Sequence, residues 1–143
     1  MNTKVDSKSK PIWMIIVAVV VVVALLGLWA YKIYVPSPAN TVKSYFKYVS
    51  NEQYSEAFDL LDGNYKKMKV DVETFTASFD NARQHGTIYK DVIINNISDS
   101  SRKSQKVVAF TLITREKGRE TKPQGQYVLT KIDGKWKITD SLN

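Results

Sequence analysis

The sequence predicts an α+β protein: a single transmembrane helix near the N-terminus, then three helices packed on a curved four-stranded antiparallel sheet. Three observations predict it. Residues 11–31 carry no charge and are apolar on every face. Between Ser37 and Gly86, apolar side chains recur at helical spacing. After Gly86 the pattern changes to runs rich in Val, Ile, Thr, Tyr and Phe that alternate in polarity. The chain has 143 residues, a formal charge of +7 carried mainly by lysine, and no cysteine. Beyond the apolar segment this length suits one modest domain. The lack of cysteine excludes a disulfide framework, a Cys-ligated metal site and a lipid anchor on an N-terminal Cys. The expected organisation is a cytoplasmic tail (1–10), a transmembrane helix (11–31), a linker (32–36) and an extracytoplasmic domain (37–143).

At 1.5 Å per residue, about 20 apolar residues cover the roughly 30 Å of a bilayer's hydrocarbon layer. The many valines favour strand in water, but a chain in lipid must satisfy its own backbone hydrogen bonds, so helix is expected. Trp13 at one end and Trp29 and Tyr31 at the other stand where aromatic rings favour the headgroup layer, with Lys10 and Lys32 as charged brackets. A cleaved secretory signal is the competing reading. The apolar run is longer than a usual signal core, and Leu28-Trp29-Ala30 is bulky where a cleavage site wants small residues. Lysines at both flanks nearly balance, but the immediate flank favours a cytoplasmic N-terminus. The expected location is thus a bacterial cell membrane, crossed once.

Beyond Val35-Pro36, Ser37 can cap a helix and Pro38 can fill its first position, where a missing N–H costs nothing. Val42, Tyr45, Phe46 and Val49 form its apolar stripe. Ser50 and Gln53 have capping-box spacing before a second stripe of Tyr54, Ala57, Phe58 and Leu61, which stops at Gly63. Residues 64–69 are expected as a basic loop. Asp71 can then cap a third helix with the stripe Val72, Phe75, Phe79 and Ala82, ending at Gly86. Strands are expected at 87–97, 105–115, 124–132 and 135–139. The second is apolar on both faces and so belongs inside the sheet. Asp133-Gly134 is a two-residue hairpin turn, and Pro123 belongs near a strand end, where it removes no ladder donor.

The order of elements, the opening Ser37-Pro38-Ala39-Asn40-Thr41-Val42, the segment from Tyr54 to Leu61 and the closing Asp133-Gly134-Lys135-Trp136-Lys137-Ile138 together resemble the nuclear transport factor 2-like superfamily. Small bacterial members that are secreted or membrane-tethered are the nearest in character. The resemblance covers residues 37–143 and rests on packing residues rather than on chemistry. It implies a conical half-barrel with a pocket at its mouth, and homodimerisation through the outer sheet face. In topology the chain is also similar to the inner-membrane scaffold subunits of type IV secretion machines, though shorter.

Candidate chemistry is sparse. His85 is the sole histidine and stands at a helix end, where a partly cationic ring is favourably placed without catalysis. Asp91 could be a pocket base if Tyr89, Asp91 and Ile93 face inward; the preferred alternative buries Ile88, Val92 and Ile94 and leaves Asp91 in water. No cofactor or metal is expected. Two basic stretches, Lys66, Lys67 and Lys69, and Arg115, Lys117, Arg119 and Lys122, are candidate surfaces for anionic lipid or wall polymer, or else ordinary solvated loops. Nucleic acid is not an expected partner. The expected role is a membrane-tethered, non-enzymatic interaction or scaffold domain of a cell-envelope assembly with a protein partner. A small ligand held in the cone is the alternative, and an isomerase or lyase using Asp91 or His85 the remaining one.

Overall fold

The computed structural model describes residues 17, 19–25, 36–67 and 71–142, the side chains of 65 and 66 excepted. The chain divides into two units, Met1–Val35 and Pro36–Asn143. The expected transmembrane helix is corrected first: among the described residues no helix is long and apolar enough to cross a membrane. Of the expected span, residue 17 and residues 19–25 are described, as exposed helix. The remainder of 11–31, with Trp13, Trp29 and Tyr31, lies outside the described residues, as do Lys10 and Lys32.

In the second unit, helix α1 (Pro38–Ser50) begins as its sequence dictates. Ser37 is extended and its hydroxyl accepts the Asn40 N–H at 3.1 Å, with Pro38 in the first turn. Thr41, Val42, Tyr45, Phe46 and Val49 make up its buried side. Helix α2 (Tyr54–Asp59) follows, but the expected capping box does not form. Ser50 still belongs to α1, where its hydroxyl donates to the Lys47 carbonyl at 2.9 Å, and α2 starts without a side-chain cap.

Three helices were expected and four are present, because the basic loop contains the short α3 (Asn64–Lys67). Helix α4 (Val72–Gln84) is capped by Asp71, whose carboxylate accepts the Thr74 N–H at 2.7 Å. That bond lowers the Asp71 pKa, because it favours the charged form. Of the predicted α4 stripe Phe75 is buried, whereas Val72 at the helix start is exposed.

The sheet has five strands rather than four: β1 (Thr87–Asp99), β2 (Gln105–Glu116), β3 (Arg119–Thr121), β4 (Gln124–Ile132) and β5 (Lys135–Leu142). All pair antiparallel in the order β1-β2-β4-β5, with β3 on the far half of β2. Pro123 accounts for the extra strand. The register of β3 on β2, Thr114 opposite Thr121, continues into β4, Thr111 opposite Gln124. Between them Leu112 still donates to the Pro123 carbonyl at 2.9 Å. Proline has no N–H to return, so one long strand is scored into two. Lys117-Gly118 and Asp133-Gly134 turn the hairpins with positive φ at both positions, the geometry that matches strand twist.

The two edges of the sheet differ. Beyond β5 the chain between α2 and α3 adds a parallel bridge, Leu61 to Ile138, through Asp62 N–H to the Ile138 carbonyl and Ile138 N–H to the Leu60 carbonyl, each 2.8 Å. Gly63 makes this approach possible: a Cβ there would lie 2.9 Å from the Thr139 carbonyl oxygen. Strand β1 pairs only with β2 and forms the other edge. Its ladder is interrupted at Lys90 and at Asn95, each an extra residue against β2, which adds local twist.

The core lies between the helices and one sheet face. Val42, Tyr45, Phe46 and Val49 of α1 meet Val92, Val108, Phe110, Leu129 and Ile138 of the sheet, with Ala57, Leu61 and Phe75 closing it. Along β2 the side chains of Val108, Phe110 and Thr114 are buried, while Val107, Ala109, Thr111 and Ile113 between them are half-buried. One face is therefore packed and the other is not.

Candidate functional site

The packed face is filled by aromatic rings. Phe75 on α4 sits 6.4 Å from Tyr45, 5.4 Å from Phe58 and 4.9 Å from Phe79 between ring centroids. Phe79 stacks on Tyr54 at 5.7 Å and meets Tyr89 edge-on at 5.6 Å. Deeper in, Phe46, Phe110 and Tyr127 are mutually in contact, the closest pair being Phe110 and Tyr127 at 4.8 Å. Such edge and offset contacts add stabilisation beyond the area they bury. Gly125 is where the layer comes nearest the backbone: a Cβ there would lie 2.8 Å from the Phe110 ring. What stays open on this side is a cleft of about 350 Å³ bordered by Tyr45, Phe79, Tyr89, Tyr127 and Gln126.

The opposite face presents side chains of β1, β2, β4 and β5 with uncharged chemistry at its centre. Ile88 and Ile93 are half exposed, at 51 % and 50 %. Ile93 stands opposite Thr111, whose hydroxyl accepts the Asn95 amide at 2.9 Å. Further along, Gln105 donates to the Thr130 hydroxyl at 3.1 Å, and Thr130 and Thr139 share a hydrogen bond of 2.9 Å. Ala109, Ile113 and Val128 lie between these groups. Around Ile93 this is a mixture of apolar and hydroxyl-bearing side chains, a composition that a partner can cover without stripping charges of water; Ile88 lies at the rim, beside Asp91 and Arg115.

The residues singled out in the sequence fall in separate places. Asp91 is exposed, its Oδ1 accepting the Val92 N–H at 2.8 Å. The preferred register holds at Asp91, Val92 and Ile94 and fails at Ile88. Tyr89 packs inward, Lys90 is the extra residue, and Val92 and Ile94 pack inward after it, so Ile88 and Asp91 both face outward. Burial raises the Tyr89 pKa, and the neighbouring Glu116 charge adds to the rise.

His85 is exposed at the end of α4, where its Nδ1 lies 2.8 Å from the Asn81 carbonyl oxygen. It shares a shallow cleft of about 580 Å³ with Glu116, Lys117 and Arg119, while Asp91 borders a different one. The two carry no joint chemistry. Among the described residues no three His, Asp or Glu side chains are placed to share a metal ion.

The two basic stretches are also apart. Lys67 is exposed on α3, which packs on β5, and Lys69 lies outside the described residues, as does the Lys66 side chain. Lys117 and Arg119 lie beside the end of α4. Lys122 pairs with Glu120 at 3.5 Å, and Glu120 also draws Lys90 to 3.6 Å. Arg115 stands opposite Ile88 and Glu120 on the open face. The outward place of Ile88 escaped the sequence reading because it depends on the bulge at Lys90, which strand alternation does not encode.

No protein-family model matches the sequence, and no curated protein does. Solved structures do. The chain is similar to a SEC-C motif-containing protein of Rhodopseudomonas palustris, with a TM-score of 0.61 and 15 % identity over 74 % of this chain and 77 % of that one. It is also similar to the intermembrane-space region of the chloroplast protein ARC6 (TM-score 0.43, 16 % identity, 72 % of this chain and 90 % of that one). A third is a putative calcium/calmodulin-dependent protein kinase II association domain from Xanthomonas campestris (0.47, 17 %, 72 % and 81 %). The first shares the fold of this small α+β domain; identities this low say nothing of activity.

Proposed function

We propose that residues 36–143 form a non-enzymatic interaction domain of the nuclear transport factor 2-like type, which binds a protein partner through its open sheet face. One observation carries this reading: around Ile93, half exposed, the centre of that face is uncharged and no described helix of this unit packs on it, while the opposite face is filled with rings. Exposed apolar side chains grouped on one sheet mark association surfaces more often than accidents of composition. A second copy of the chain and a protein of the cell envelope are the two partners that fit. Placement at a bacterial cell envelope, with the domain outside the cytoplasm, rests on the charge-free segment 11–31 as a property of the sequence.

The test is site-specific photocrosslinking in intact cells, with the photoreactive residue at Ile93 and, as reference, at Lys67. An adduct from position 93 alone supports the reading, its mass telling a second copy from a different protein. Adducts from both positions, or from neither, overturn it. His85→Ala, at the end of α4, should leave the adduct unchanged.

A second reading has its own observation. The cleft of about 350 Å³ on the inner face is bordered by Tyr45, Phe79, Tyr89 and Tyr127, a size and lining that suit a small ligand. A small molecule retained through purification and lost in Tyr127→Ala would favour it.

A further inference from the structure

The open sheet face changes character along β2. Around Thr111 it is uncharged, and four residues further on it ends in a group of charges. There Arg115 stands between Ile88 of β1 and Glu120 of β3, and residues directly opposite one another share a face, so all three side chains leave the sheet on its open side. Lys90 and Lys122 reach the same corner, since both pair with Glu120. The inference rests on the reading of this face as a docking surface. We propose that Arg115 receives a carboxylate of the protein partner, which therefore presents an acidic group about 13 Å from whatever covers Ile93, the length of four residues along β2.

Arg115 is the unsatisfied member of this group. The carboxylate opposite it, Glu120, lies 3.6 Å from the Lys90 amine and 3.5 Å from that of Lys122, and no ion pair among the described residues uses Arg115. Asp91, diagonal to Arg115 across the β1–β2 ladder, has its Oδ1 on the Val92 N–H at 2.8 Å. Three cations thus meet two carboxylates, and the guanidinium is the one without a close acid among the described residues. It is exposed. Its planar fork fits a carboxylate with two parallel bonds, and it is more weakly hydrated than an ammonium, so covering it costs less.

The cations of the β2–β3 hairpin do not add into one field. Lys117 and Arg119 lie beside the end of α4 with His85, and Lys122 is paired. A lipid surface is held by the sum of many exposed cations. A single forked cation beside aliphatic side chains instead suits one carboxylate. Ile88 and Ile113 supply those side chains, the first opposite Arg115 and the second two residues before it on the same face. A partner that covers them excludes water, which strengthens the charge-assisted bond.

The photoreactive residue at position 93 supplies the readout, as adduct formed in intact cells per molecule of the full chain. Arg115→Glu should lower the yield about tenfold. Arg115→Gln, which removes the charge without setting a like charge opposite Glu120, should lower it about threefold. Lys67→Glu, on α3, changes the net charge as much as Arg115→Glu and should stay within about twofold, since charges beyond a Debye length are screened. Circular dichroism confirms that each variant is folded. In Arg115→Lys, carbodiimide coupling should form an amide between position 115 and an Asp, Glu or terminal carboxylate of the same partner, located by peptide mass spectrometry. An unchanged yield in Arg115→Gln, or an equal loss in Lys67→Glu, overturns the inference and leaves the docking surface standing. No adduct from the parent removes both.

Discussion

The two faces of the sheet are made from the same strands but obey different rules. On the inner face Val108, Leu129 and Ile138 are wholly buried and rings from α1, α4 and β4 fill the space above them. On the outer face Ile88 and Ile93 are half exposed, among hydroxyls and amides bonded to one another. The inner face is thus where stability resides, and the outer face is where change costs little in the isolated chain. A side chain removed from a packed layer takes its contacts with it and leaves a void; one removed from the outer face leaves only water.

Substitution on each face should break or sharpen this contrast. The largest effect is expected from Leu129→Ala, which should lose about 2–5 kcal/mol, as buried Leu to Ala changes do, read as a lower urea midpoint. Gly125→Ala should follow, at about 1–3 kcal/mol, because the new methyl meets the Phe110 ring 2.8 Å away. Ser37→Ala removes the hydrogen bond that starts α1 and should cost about 1 kcal/mol. Ile93→Thr should change the midpoint by no more than about 0.5 kcal/mol, yet weaken co-purification of the partner. If Ile93→Thr proved as damaging as Leu129→Ala, the distinction between the faces would fail.

The smallest effect is one of pH. Burial raises the Tyr89 pKa above its value in the unfolded chain, 10.0. The neutral phenol is the form that the fold favours, so its contribution is complete below about pH 10. It is lost as pH climbs through the higher folded value. Tyr89→Phe should flatten the alkaline limb of the stability profile and leave neutral pH nearly unchanged.

How much of this was legible in the sequence differs from element to element. The stripe of α1 and the caps Ser37 and Asp71 were legible because each depends on residues within four positions. The central place of β2 was legible from its apolar character on both faces, and the turn at Asp133-Gly134 from its two residues. The capping box at Ser50 was misread because spacing alone does not say where the preceding helix stops. Pro123 was placed near a strand end, but a single residue also created a fifth strand. The transmembrane expectation is not met by any described helix. For the candidate residues, His85 at the end of α4 followed from local pattern. The approach of Lys90 to Glu120 did not, because it is set by strand pairing thirty residues away.

Strand β1 contains two residues more than its ladder with β2 uses, at positions 90 and 95. Taking either one out would leave the sequence on both sides in perfect alternation: Tyr89, Asp91, Val92, Ile93 and Ile94 would then read in, out, in, out, in. Loss of Ile93 instead would transpose every side chain beyond it. Length variation in this strand is therefore tolerated at two points and not elsewhere, and a chain that shed its surplus at position 90 would keep its fold while leaving Glu120 to Lys122 alone.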